Sequence, residues 1–280
     1  MGKQIDKEQL TAFERYLRAE EREPGTIEKY LRDVRAFFTW LDARELSKEA
    51  VVVWKEHLRT AGYAPSTINS MLIALNRFLQ FQGRDDLRVK TLRIQRQIFR
   101  SRDKELTKEE YVCLIETAHA MGRERLALMM EAICATGVRV SEVKYITVEA
   151  AQAGRAEIAL KGKIRTILLP GKLRRKLLKY AKKQQIGSGE IFLTRTGKGM
   201  SRRQIWAEMK AICKKAGVAP SKVFPHNLRH LFARTFYRAC RDVVQLADVL
   251  GHSSVETTRI YLASTGDEYV RRMNRLGLIS

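Results

Sequence analysis

Four cysteines, no C-x-x-C pair and no neighbouring histidine cluster leave this chain without the means to build a disulfide framework or a zinc ribbon. Cys113, Cys134, Cys213 and Cys240 are far apart in the sequence and read as reduced thiols of a cytoplasmic protein. No apolar run approaches the roughly 18 residues that suggest a membrane span, and the opening MGKQIDKEQL lacks the apolar core of a secretory signal. No carboxylate cluster of metal-site type accompanies the basic fragments described below, and no cofactor is expected. Acidic residues are scarce: 31 Asp and Glu stand against 53 Lys and Arg, a formal charge of +22 in 280 residues. Such an excess needs a polyanionic partner, nucleic acid before an anionic membrane surface.

The excess is uneven. Residues 1–100 hold 19 basic and 14 acidic side chains, and residues 101–280 hold 34 and 17. The first hundred residues read as about four helices, near 6–19, from Pro24, near 47–60 and from Pro65. Ile27, Tyr30, Leu31, Val34, Phe37, Phe38 and Leu41 keep the 3.6-residue period, as do Ile68, Met71, Leu72, Leu75, Phe78 and Leu79. Residues 82–105 are basic and poorly periodic, which suits a linker or a surface strap, with a helical extension as the competing reading. The domains are therefore expected at 1–95 and 106–280, with a linker at 96–105.

Beyond the linker, Thr107 and Glu110 are spaced as a capping box, ahead of a helix whose inward side would hold Val112 and Ile115. EIALKGKIRTILLP reads as two strands around Gly162-Lys163, and EIFLT as a further strand. Helices return after Ser201, with Ile205, Trp206, Met209 and Ile212 facing a core, and continue through 228–236 and 243–250. The fold class is thus mainly α, with an α+β second domain that is mostly helical and carries a small sheet. No internal repeat or low-complexity segment is visible.

Four fragments place basic groups at element boundaries. In ATGVRVSEV, Gly137 ends a helix and Arg139 follows in the turn, with Glu142 near enough in sequence to orient it. In ALKGKIRTILLP, either Lys161 or Lys163 can project from the hairpin to attract phosphate or protonate an alkoxide, although hairpin-tip lysines are more often simply solvated. In FPHNLRHLF, Pro225 starts a helix and His226 and Arg229 share a face near its positive end, while His230 reads as packing or support. In GHSSVETTRIY, His252 follows a helix-ending glycine and leads to Tyr261. A tyrosine phenol, with a reference pKa of about 10, becomes a nucleophile toward phosphorus where cations stabilise the developing charge. Each fragment alone has a structural explanation; together they describe one phosphate clamp with one nucleophile.

The fragments TGVRVSE, KGKIRTILLP, HNLRHLFA and LGHSSVETTRIY, in this order, resemble the tyrosine recombinase or phage integrase family. The helical first domain resembles that family's core-binding domain, so the likeness covers nearly the whole chain. The resemblance implies a two-domain, C-shaped clamp on duplex DNA. It makes Arg139, Lys161, His226, Arg229, His252 and Tyr261 the six active-site residues, with Lys161 chosen over Lys163 as the lysine preceding glycine. It implies cleavage through a 3′-phosphotyrosine, without ATP or an essential metal. Glu142 and His230 are supporting candidates, and Lys163, Arg165, Arg202 and Arg203 are candidate DNA contacts.

The implied partners are double-stranded DNA with specific recombination sites and three further copies of the chain in a synaptic tetramer. The free protein would be a monomer or dimer, and an accessory DNA-bending or directionality factor would complete the set, with no membrane involved and the nucleoid as location. The tail DEYVRRMNRLGL, with Tyr269, Val270, Met273 and Leu276 spaced as on an amphipathic helix, is expected to pack on its own core or on a neighbour. The subtype inclines to a mobile-element integrase over Xer-like resolution. The rivals are a type IB topoisomerase-like relaxer and a non-catalytic architectural DNA-binding protein.

Overall fold

The computed structural model describes residues 7–42, 44–94, 104–160, 163–252, 254–259, 261 and 273–276. The chain divides into two compact units, Met1–Arg96 and Gln97–Ser280.

The first unit contains α1 (Lys7–Ala19), α2 (Pro24–Leu41), α3 (Lys48–Thr60) and α4 (Pro65–Phe81). Pro24 and Pro65 occupy first-turn positions, where the missing N–H has no intrahelical partner to lose. Ser47 caps α3 by accepting from the Ala50 N–H at 3.1 Å. The predicted stripe of α2 is buried at Ile27, Leu31, Val34, Phe37 and Leu41, and that of α4 at all six predicted positions. These faces meet Phe13, Leu17, Trp54 and Leu58 from α1 and α3.

The basic segment after α4 does not extend the helix. A 3-10 turn at Asp85–Leu87 leads into non-helical chain to residue 94. Asn69 and Asn76, two helical turns apart on α4, hold that chain in the manner of a β ladder. Asn76 donates to the Val89 carbonyl at 2.8 Å and accepts its N–H at 3.0 Å. Asn69 does the same for Leu92 at 2.9 and 2.7 Å. Leu87 and Val89 are buried, so this part of the strap belongs to the core of the first unit. Residues 95–103 lie outside the described part.

In the second unit, α5 (Lys108–Ala120) opens on a capping box in which Thr107 and Glu110 exchange hydrogen bonds of 3.1 and 2.9 Å. Its inward residues are Leu114 and Ala118; Val112, about 200° around the helix from Leu114, is exposed and not inward. Helix α6 (Glu124–Thr136) is buried from Leu126 to Met130 and again at Ala132, Ile133 and Thr136, as befits a central helix. Helix α7 (Val148–Ala153) leads into an antiparallel hairpin of β1 (Arg155–Leu160) and β2 (Lys163–Leu168), in register from Arg155↔Leu168 to Leu160↔Lys163. Ala156, Ile158 and Ile167 face the core, while Ile164 and Leu168 are exposed on the alternate side.

Helix α8 (Gly171–Lys183) follows. The strand expected at EIFLT does not form: this region makes only isolated bridges, Thr147↔Glu190 and Leu193↔Gly199. Gly189 and Gly197, at φ of +77° and +74°, turn the chain on either side and leave Ile191 and Phe192 as core plugs. Then come α9 (Arg202–Lys210), α10 (Cys213–Ala216), α11 (Pro225–Cys240), α12 (Val243–Leu250) and α13 (Val255–Arg259). Ile205, Met209 and Ile212 are buried as expected, but Trp206 is 50% exposed because it sits about 100° from Ile205 around α9. Most of the expected tail helix lies outside the described residues; at 273–276, Met273 and Leu276 are exposed. No helix among the described residues is long and apolar enough to cross a membrane.

Candidate active site

The buried α6 ends at Gly137, whose φ of +66° is open to glycine at little cost and whose N–H caps the Ile133 carbonyl at 2.9 Å. Arg139 emerges two residues later, at the start of a 3-10 turn spanning Val140–Tyr145. Glu142, 2% exposed, folds back on it. One carboxylate oxygen accepts the Arg139 backbone N–H at 2.7 Å, and the other accepts its Nη1 at 2.9 Å. Arg165, from β2, donates to the same carboxylate and to the Leu250 carbonyl at the end of α12. Burial alone would raise the Glu142 carboxyl, yet the Arg139 N–H and the two guanidiniums hold it below its ordinary value.

Helix α11 contributes the deepest cation. Arg229 is 1% exposed. Its Nη1 donates to the Gly137 carbonyl, its Nη2 to the Leu250 carbonyl and to His252 Nε2, both at 2.8 Å, and its Nε to the Tyr261 hydroxyl at 3.3 Å. The two carbonyls are the C-terminal ends of α6 and α12, the negative ends of their dipoles. Helix ends thus accept a guanidinium that burial would otherwise penalise heavily. Burial lowers the Arg229 pKa, with the Tyr261 hydroxyl opposing it and Arg139 and Arg165 adding repulsion.

His252 follows Gly251, which adopts φ of +63° at the end of α12. A methyl group on Gly251 would lie 2.5 Å from Arg165 Nη1, so the absence of a side chain is what admits that guanidinium. Burial, reinforced by Arg229, Arg139, Arg165 and His226, pushes the His252 pKa down to about 4. Tyr261 is 4% exposed and closes the site. Its ring stacks on His252 at 5.6 Å and 17°, and lies 4.3 Å from His230 and 5.9 Å from His226. It also joins Ala233, Leu246 and Leu250 in a small cluster of its own, apart from the main core.

Five of the six proposed active-site residues, Arg139, His226, Arg229, His252 and Tyr261, therefore form one connected group. Lys161 lies outside the described residues; of Lys163, only the backbone pairing with Leu160 is described. His226 is exposed at the start of α11, while His230 is buried and is the nearer ring to Tyr261. Arg165 sits within the site at 14% side-chain exposure, and Arg202 and Arg203 are exposed at the start of α9. One residue escaped the sequence reading: Thr258, fully buried on α13, with its hydroxyl 2.8 Å from His252 Nδ1. Its signal was its place between His252 and Tyr261, three residues before the tyrosine.

Arg139 and Arg165 share one carboxylate, Glu142, while Arg229 is held by two carbonyls, His252 and Tyr261. Among the described residues this leaves an excess of two positive charges around a tyrosine hydroxyl, which suits an oxyanion such as a phosphodiester.

Comparison with known proteins agrees. The Phage integrase family model matches residues 104–268, and the Phage integrase N-terminal SAM-like domain matches residues 10–85. Tyrosine recombinase XerA of Thermococcus kodakarensis is 29% identical over 97% of this chain and 96% of its own length. Tyrosine recombinase XerC of Roseiflexus castenholzii is 32% identical over 91% of this chain and 88% of its own. Among solved structures, a lambda integrase tetramer bound to a Holliday junction shares the fold at a TM-score of 0.72 and 17% identity. That match covers 91% of this chain and 76% of the other. The XerH site-specific recombinase bound to its difH substrate, in a pre-cleavage complex, shares it at 0.67 and 21%, covering 84% and 74%. With a family match running through more than half of its length, the chain belongs to the phage integrase family.

Proposed function

We propose that this protein is a site-specific DNA recombinase whose nucleophile is Tyr261. The observation that carries the reading is the Tyr261 hydroxyl held at 3.3 Å by the buried Arg229, inside a group with excess positive charge. Arg139 and Arg229 bind the nonbridging oxygens of the scissile phosphate, and His252 donates to one of them. The Tyr261 oxygen attacks phosphorus as its proton leaves, with His226 and His230 positioned around the ring to assist. The bond from phosphorus to the 5′ oxygen breaks, and Lys161 gives that oxygen its proton. The products are a 3′-phosphotyrosine and a free 5′-hydroxyl. Attack by the 5′-hydroxyl of another strand reverses the chemistry and frees Tyr261. Because one phosphoester replaces another, joining needs no ATP. Removal of one preorganised donor at such a site costs about 10²–10³ in rate.

The partner is duplex DNA bearing two recombination sites, bound in the cytoplasm at the nucleoid by four protomers. The net charge of +22 supports the DNA partner. Relatives named Xer recombinases accord with an Xer-like role, and a Tn1549 transposon integrase that shares the fold accords with the mobile-element role toward which the basic strap inclined. A supercoiled plasmid carrying two copies of the recognised site tests the reading. Recombinant circles are expected; relaxed topoisomers alone would indicate a strand-relaxing enzyme, and binding without a covalent adduct an architectural protein. Truncation after Thr265 is expected to impair recombination more than binding, and equal losses would count against a role for the tail in assembly.

A further inference from the structure

We propose that Thr258 is a positioning residue that partners Nδ1 of His252 both before and after the phosphate binds, holding the ring in place while its Nε2 turns from acceptor to donor. The proposal rests on the reading of His252 as a phosphate-binding group. A guanidinium only donates, so His252 Nε2, 2.8 Å from Arg229 Nη2, must accept. The single ring proton is then on Nδ1 and is donated to Thr258 Oγ1 at 2.8 Å. In this form Nε2 has no proton to offer a phosphate oxygen.

Binding of the phosphate therefore requires the ring to change. As Arg229 turns its Nη2 toward the anion, His252 must present Nε2–H, either by gaining a second proton or by moving the one it has. The charged and titratable groups around the ring are the guanidiniums of Arg229, Arg139 and Arg165, the His226 imidazole and the Tyr261 phenol. Three fixed cations disfavour the imidazolium until the phosphate arrives. A hydroxyl serves every case: it accepts from Nδ1–H before the change, and by rotating about its C–O bond it donates to a bare Nδ1 afterwards. A carbonyl could only accept, and a methyl could do neither. Thr258 is also fully buried, and its carbonyl accepts the Tyr261 N–H at 2.9 Å. The same residue thus ties the histidine to the nucleophile's backbone.

Two variants separate the hydroxyl from its packing. Thr258→Val keeps the shape and removes the hydroxyl; Thr258→Ser keeps the hydroxyl. In the DNA-free protein with ¹⁵N-labelled histidine, NMR assigned with His252→Gln should show Nδ1–H on His252 in the wild type and in Thr258→Ser. Thr258→Val, in which Arg229 still donates to Nε2, should keep that tautomer but leave Nδ1–H without its acceptor, seen as an upfield-shifted and faster-exchanging proton. On a nicked suicide DNA selected by covalent capture, with protein saturating, Thr258→Val should form the adduct at least about tenfold more slowly. Its affinity should stay within about twofold, and the pH profile of the adduct rate should shift; Thr258→Ser should recover most of the rate. An unchanged Nδ1–H shift and exchange rate in Thr258→Val would overturn the proposal, as would a Thr258→Ser rate as low as that of the valine variant. If the wild type forms no adduct on any DNA, the recombinase reading fails, and the Nδ1–H measurement alone then decides whether Thr258 holds the ring.

Discussion

Alanine at Gly137 should destabilise the protein far more than alanine at Gly122, although both glycines have φ of +66° just past the end of a helix. The shared cost is that of placing a Cβ in the left-handed region, about 1–2 kcal/mol. At Gly122 no atom lies within 4 Å of the added methyl, so that cost stands alone. At Gly137 the methyl would lie 2.5 and 2.7 Å from ring carbons of Phe232 and 2.9 Å from Leu250 Cδ2. Phe232 is packed on Phe236, at 5.6 Å between ring centres, and overpacking of this kind adds about 1–3 kcal/mol. The expected losses are then about 1–2 kcal/mol for Gly122→Ala and about 2–5 kcal/mol for Gly137→Ala. Urea denaturation monitored by circular dichroism reads the difference as a lower midpoint at unchanged slope. Because the Gly137 carbonyl also accepts from Arg229, the Gly137 variant should lose adduct formation beyond its loss of folded protein. Equal midpoints for the two variants would refute the steric argument.

Glu142→Gln leaves Arg139 and Arg165 facing no carboxylate, and loss of one partner from a buried ion pair costs about 3–5 kcal/mol; a midpoint shift worth less than about 1 kcal/mol would show that the helix-end carbonyls suffice. DNA affinity should fall steeply with salt, because each phosphate contact releases counterions, and a flat dependence would contradict binding through the basic groups. The pH dependence follows from His252, whose pKa of about 4 in the folded site lies below its ordinary 6.5. Between these values the unfolded chain holds the proton that the folded site refuses, so stability should decline as pH falls from about 6.5 toward 4. His252→Gln should flatten that decline, and an unchanged slope would show that another group causes it.

The helices were legible because their signals are local. Pro24, Pro65 and Thr107 mark starts, and the α2 and α4 stripes repeat at 3.6 residues. The hairpin was legible for the same reason, since Gly162 separates two short apolar runs. EIFLT misled because a strand needs a neighbour as well as propensity, and the turns at Gly189 and Gly197 leave it only bridges. Trp206 misled because a large apolar residue next to a stripe counts as part of it until the helix phase is known. In the site, side chains that carry charge were visible, but their acceptors were not. The carbonyls of Gly137 and Leu250 come from every residue type alike, and only the meeting of two helix ends makes them a seat for Arg229. Arg165 read only as a candidate DNA contact because nothing in its own strand announces Glu142 or the bare backbone of Gly251.

The proposed mechanism stands on a covalent bond between Tyr261 and the 3′ phosphate of a cleaved strand. Incubation with a library of nicked suicide duplexes, recovery of protein-linked DNA, and mass spectrometry of the linked peptide test it directly. One DNA-linked residue, Tyr261, a consistent recognised sequence, and no adduct from Tyr261→Phe despite retained binding are expected. Adducts formed by Tyr261→Phe, or a linkage at any other residue, would contradict the mechanism.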